Sequence, residues 1–271
     1  MPRFLAVALL LFLSVVSHPD SPALAAEVGP TAVVVLHGKL GGPDRLVADF
    51  AAQLSAAGFV VVTPEMPWSR RREFAESFDV GLREIDTAVR GLRARGAARV
   101  VLAGHSLGGN AALAYAARYP GLDGLVCLAP AHTPEQPHQR QRFAADIALA
   151  REMVASGRGQ DTALFHDVNM GKALELTVPA QSYLSYNDPD GPAVMPKNAA
   201  ALKTALPILW IVGARDPLTR PQSYVFDLAP AHPQSRYVSI DADHKGTPTA
   251  AAGLVVEWLR GLGLNPGNSA P

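Results

Sequence analysis

The run Gly104-His105-Ser106-Leu107-Gly108-Gly109 sets a serine between glycines, directly after the apolar segment Arg99-Val100-Val101-Leu102-Ala103 and ahead of a helix-forming stretch from Asn110 to Arg118. A serine at a sharp strand-to-helix turn stands clear of its sheet, and glycines beside it leave room for that turn. Its hydroxyl is a candidate nucleophile. The N–H of Leu107, at the positive end of the following helix, is a candidate donor to a developing oxyanion. Such a nucleophile needs a base, and the base needs an acid to orient it. Asp216, in the turn Gly213-Ala214-Arg215-Asp216, and His244, in the loop Asp241-Ala242-Asp243-His244, each follow an apolar strand-like run. Asp241 and Asp243 are rival acids, closer to His244 in sequence and better suited to shaping its loop or facing water.

With this order of nucleophile, acid and histidine, the chain resembles the α/β-hydrolase family of serine hydrolases, from about Thr31 to Arg260. The resemblance implies a mostly parallel central sheet flanked by helices, Ser106, Asp216 and His244 as catalytic residues, and acyl transfer from a small-molecule substrate to water. An ester is the substrate expected, with peptidase, lipase and thioesterase chemistry as alternatives, as is a catalytically silent binding protein on the same scaffold. The loop Leu36-His37-Gly38-Lys39-Leu40-Gly41-Gly42 looks like the family's H-G-x-x-G element. That match makes the Lys39 N–H the second oxyanion donor, with Leu40 as the alternative, and casts His37, Gly38 and His105 as supporting residues. The Lys39 side chain is expected to point to water. Neither a cofactor nor a metal is expected.

The elements that must position these groups alternate along the chain. Short apolar runs at Ala32–Leu36, Phe59–Thr63, Arg99–Ala103, Gly124–Leu128, Ile208–Val212 and Arg236–Ile240 predict strands of a parallel sheet. Helical periodicity falls on Asp44–Ala57, Glu73–Arg93, Ser106 to before Pro120, and Thr249–Leu262, with Leu46, Leu54, Ile85 and Val255 among the inward residues. Residues 132–205 interrupt the alternation. They read as an inserted helical cap without a good strand, containing one helix over Gln141–Ala155. Tyr183, Tyr186, Phe165, His166, Met170 and His132 are candidates to face the site from there, while Met66 and Trp68 either line it or pack beneath the cap.

The expected organisation is therefore a core over residues 27–131 and 206–264, a cap over 132–205 and a disordered tail over 265–271. Residues 1–26 carry Arg3, an apolar run from Phe4 to Val16 and then Ala23-Leu24-Ala25-Ala26, the pattern of a secretory signal peptide. Export to the periplasm or medium is expected, with no stable membrane anchor after processing. In 271 residues, 48% hydrophobic, Lys+Arg and Asp+Glu each total 24, which argues against nucleic acid as a partner. The Arg70-Arg71-Arg72 cluster reads as a solvated loop or helix start, and the single cysteine, Cys127, as a core thiol.

Overall fold

The computed structural model describes residues 29–267. The expected signal peptide lies outside them. Six strands form one sheet: β1 (Thr31–Leu36), β2 (Val60–Val62), β3 (Arg99–His105), β4 (Gly124–Leu128), β7 (Ile208–Gly213) and β8 (Arg236–Ile240). Their order is β2-β1-β3-β4-β7-β8, and every neighbouring pair runs parallel. The central strands are buried on both faces, which is why they are written in valine and leucine instead of alternating with polar residues.

The two faces bury separate halves of each strand. On one side Val33, Val35, Val101 and Ala103 pack with Phe50 and Leu54 of α1 (Ala48–Ala56) and Val255, Trp258 and Leu259 of α8 (Thr247–Gly261). On the other, Val34, Leu36, Val100 and Leu102 meet Leu82, Ile85 and Val89 of α2 (Phe78–Ala94) and Ala111 and Ala112 of α3 (Leu107–Arg118). Cys127 is in this core, and burial pushes its thiol up.

Helix starts differ from the sequence expectation where a local hydrogen bond decides. The α2 helix begins at Phe78, not Glu73, because the Ser77 hydroxyl accepts the Val80 N–H and caps it. Leu46 precedes α1 and is exposed. Arg72 is not a solvated loop residue: its guanidinium makes two 2.7 Å bonds to the Glu84 carboxylate and a third contact to Glu76. Asn265, expected to fray, is held by Thr31, whose N–H and hydroxyl both donate to its carbonyl.

The insertion is not wholly helical. Between α4 (Pro137–Arg142) and α5 (Ala144–Ala155) on one side and α6 (Ala180–Asn187) and α7 (Met195–Ala200) on the other, β5 (Thr162–Asn169) and β6 (Lys172–Pro179) pair antiparallel as a separate hairpin. Met170 and Gly171 form its two-residue turn, both at positive φ, as such hairpins require. Phe165 and Tyr183 stack at 4.3 Å to make the hairpin's own core against α6.

Candidate active site

Ser106 sits between β3 and α3 with φ 55° and ψ −120°, a conformation an L-residue holds only when its surroundings impose it. The glycines around it do the imposing. A Cβ on Gly104 would lie 2.2 Å from the Gly108 carbonyl oxygen, and one on Gly108 would lie 2.6 Å from that of Leu36. Only bare backbone lets α3 start this close to the sheet. Gly38 is constrained less severely, since a Cβ there would be 3.0 Å from the Ser106 Cβ.

The loops after β7 and β8 bring the other two groups in. His244 Nδ1 donates to Asp216 Oδ2 at 2.7 Å, and the Ser106 hydroxyl lies 3.0 Å from His244 Nε2. With Nδ1 protonated by that bond, Nε2 is left with a lone pair facing the hydroxyl, the arrangement a general base needs. The Leu218 N–H donates to the other oxygen, Oδ1, at 2.8 Å. Burial opposes ionisation of Asp216, but the His244 and Leu218 hydrogen bonds outweigh it and hold the carboxyl below its ordinary value. The rivals are elsewhere: Asp241 is exposed and paired with Arg215, and Asp243 accepts the Gly246 N–H at 2.7 Å at the start of α8.

The loop after β1 is braced from behind. His37 Nε2 accepts the Met66 N–H at 3.0 Å, so Nδ1 carries the proton and donates to the Gly38 carbonyl at 2.9 Å. Trp68 Nε1 donates to the His37 carbonyl at 2.8 Å, and the Leu40 N–H donates to the Trp68 carbonyl at 2.8 Å. That bond occupies the Leu40 N–H. The Lys39 N–H makes no hydrogen bond among the described residues and remains, with Leu107, as a donor pair beside Ser106. Met66 and Trp68 are buried scaffold, not pocket lining.

Lys39 does not point to water. Its ammonium is 2.6 Å from Asp167 Oδ2 and 3.2 Å from the Val168 carbonyl in the insertion, with side-chain exposures of 7% and 3% for the pair. The oxyanion loop and the hairpin are thereby tied together. Asn110, one turn into α3, adds a second tie by donating from Nδ2 to the carbonyls of His132 and Ala193.

His105 and His132 are two more braces. His105 Nε2 donates to the His244 carbonyl at 2.8 Å, so its buried Nδ1 is the unprotonated nitrogen and has no partner. His132 Nε2 donates likewise to the Tyr186 carbonyl at 2.8 Å. Burial lowers both imidazoles to about 4 from an ordinary 6.5. Unfolded histidines take up protons below about 6.5, whereas these resist until about 4, so the stability they confer is complete above 6.5 and lost as pH falls towards 4. His105 alone is expected to cost about 1.4 kcal/mol per pH unit across that window. His132, which meets the cavity, adds less. Thermal melts between pH 7 and 4 would show this as a steady fall in Tm; a flat profile would mean that the two imidazoles take up protons in the folded protein as readily as in the unfolded chain.

A cavity of about 300 Å³ opens over Ser106 and Leu107, lined from the insertion by His132, Gln139, Arg142, Phe143, Ile147 and Met170 and from the core by Lys39, Leu218 and Arg220. Of the candidates in the insertion, Met170 and His132 face this space. Tyr186 is buried against Phe74 and Phe78, Tyr183 and Phe165 are buried against each other, and His166 is exposed beside Asp146. The sequence reading missed Asp167, Asn110, Arg142 and Arg220, which carry no motif.

The family model described as serine aminopeptidase, S33, matches residues 30–170. No curated protein matches the chain. Among solved structures, a monoacylglycerol lipase of Paleococcus ferrophilus is 21% identical with a TM-score of 0.62, covering 85% of this chain and 94% of that one. A structure from work on LipS and LipT, two metagenome-derived lipolytic enzymes, gives 20% identity and a TM-score of 0.59 over 88% of this chain and 94% of that one. A highly thermostable carboxyl esterase from Bacillus coagulans gives 14% and 0.62 over 86% and 90%. At these identities the likeness is one of fold.

Proposed function

Because the chain belongs to the serine aminopeptidase S33 family of α/β-hydrolases, we propose that it is a serine hydrolase cleaving carboxylic esters, exported by its N-terminal segment. The observation that carries this is the hydrogen-bonded line Asp216–His244–Ser106, ending beneath a cavity with two free backbone donors at its floor. His244 takes the Ser106 proton as the hydroxyl attacks the acyl carbonyl, forming a tetrahedral oxyanion held by the N–H groups of Lys39 and Leu107. The same imidazole, now charged and stabilised by Asp216, returns the proton to the leaving alkoxide. Water then attacks the Ser106 acyl ester by the same relay and releases the acid.

The family's description names an aminopeptidase, which would need a carboxylate free to receive a substrate ammonium. Asp167, the one acidic residue lining the cavity, is already paired with Lys39, and that favours esters over amino-terminal peptides.

A fluorophosphonate is expected to label the protein one to one, with the modified peptide containing Ser106, and a p-nitrophenyl ester series from acetate to palmitate should show turnover with an optimum set by the cavity. Labelling without turnover of any ester would move the substrate to amides or lactones. Absence of both would leave the silent-scaffold reading in its place.

A further inference from the structure

The cavity over Ser106 carries more positive than negative side chains. Of its charged lining, Lys39 and Asp167 neutralise one another, and Arg142 and Arg220 remain. Neither guanidinium is ion-paired among the described residues. Arg142 ends α4 and lies 5.4 Å from the Phe143 ring, while Arg220 is half-buried with an Nε that is shut off from solvent and has no hydrogen-bond partner. An N–H that has lost water without gaining an acceptor is costly, and a buried polar group left in that state is a place where a ligand can supply the missing acceptor.

The nearby acid does not complete it. Glu135 uses Oε1 for the Tyr224 hydroxyl, and its Oε2 is itself buried without a partner. Burial raises this carboxyl to about 7, so near neutral pH it supplies only part of a counter-charge. Arg220 follows Asp216 by four residues in the core loop, Arg142 belongs to the insertion, and both line the cavity that Ser106 also lines.

We propose that Arg142 and Arg220 form an anion subsite, and that the preferred substrates are esters bearing a carboxylate at the end remote from the scissile bond. This rests on the ester-hydrolase reading above and narrows it. Arginine suits the task because its planar fork meets a carboxylate with two parallel bonds.

The test compares kcat/KM by pH-stat for two matched pairs: monoethyl adipate against ethyl hexanoate, with the anion on the acyl side, and 4-acetoxybutanoate against butyl acetate, with it on the alcohol side. Wild type is expected to prefer the anion in one pair by roughly 10- to 100-fold, the usual worth of a charge-assisted hydrogen bond. The preference should shrink with added salt and fall towards unity in Arg220→Gln, with Arg220→Lys between the two. Turnover with no preference in either pair, or a preference untouched by Arg220→Gln and Arg142→Gln, would overturn the subsite. Calorimetric binding of monoethyl adipate to Ser106→Ala separates this from failure of the hydrolase reading. Binding that Arg220→Gln weakens about tenfold, in a protein whose wild type turns over none of the four esters, would keep the subsite and discard ester hydrolysis. No binding and no turnover would discard both.

Discussion

Ser106→Ala is expected to lower kcat on a p-nitrophenyl ester by about a million-fold, a loss of about 8 kcal/mol of transition-state stabilisation. The reason is the removal of the covalent path, because no other nucleophile lies at the end of the His244 relay. The next nucleophilic type in the core, the Cys127 thiol, is buried between β4 and α3 and held protonated. Residual activity should still exceed that in water, since the Lys39 and Leu107 donors remain to polarise a carbonyl that water attacks directly.

Asp216→Asn makes the companion measurement. An amide at that position would offer its NH2 to His244 Nδ1, reversing the tautomer and turning Nε2 into a donor facing Ser106. A loss of roughly ten-thousand-fold in kcat with little change in KM is expected, by analogy with the same change in the serine-protease triad. Equal activity in wild type and Asp216→Asn would return Asp241 and Asp243 to candidacy. Survival of activity in Ser106→Ala, with the variant's melt unchanged, would end the serine mechanism.

What was legible in the sequence follows from how local each constraint is. The strand before Ser106, the glycines that α3 and β1 press against, and the acid and histidine after successive strands are all written in short segments, and each was found where its segment placed it. The braces were harder to see. His37, His105 and His132 act through backbone carbonyls and N–H groups that only the fold brings near, so their type is visible but their partner is not. The hairpin was missed for a related reason. Its inward residues are Ala163, Phe165 and Asp167, and the buried acid breaks the apolar alternation that marks a strand. Its turn uses Met170 before Gly171, where asparagine or aspartate would have announced it.

That buried acid is also the source of the largest stability effect expected. Asp167→Ala would leave the Lys39 ammonium enclosed, with the Val168 carbonyl at 3.2 Å and the Phe74 ring at 5.9 Å as its remaining neighbours. Breaking a buried pair from one side costs about 3–5 kcal/mol, because the surviving charge stays without its partner. In a domain of this size the corresponding fall in Tm is about 6–20 °C. The pair as a whole need not stabilise, since desolvating both charges costs about what their attraction returns. The double variant Lys39→Met with Asp167→Leu should therefore recover most of the lost Tm. Recovered stability with kcat still depressed and KM little changed would mean that the ion pair sets the position of the Lys39 N–H at the oxyanion. Recovery of both would make it a fastening between hairpin and core and nothing more. A single variant that melts with wild type would show that Lys39 reaches water when Asp167 is gone, and that the insertion is held by Asn110 and its own packing instead.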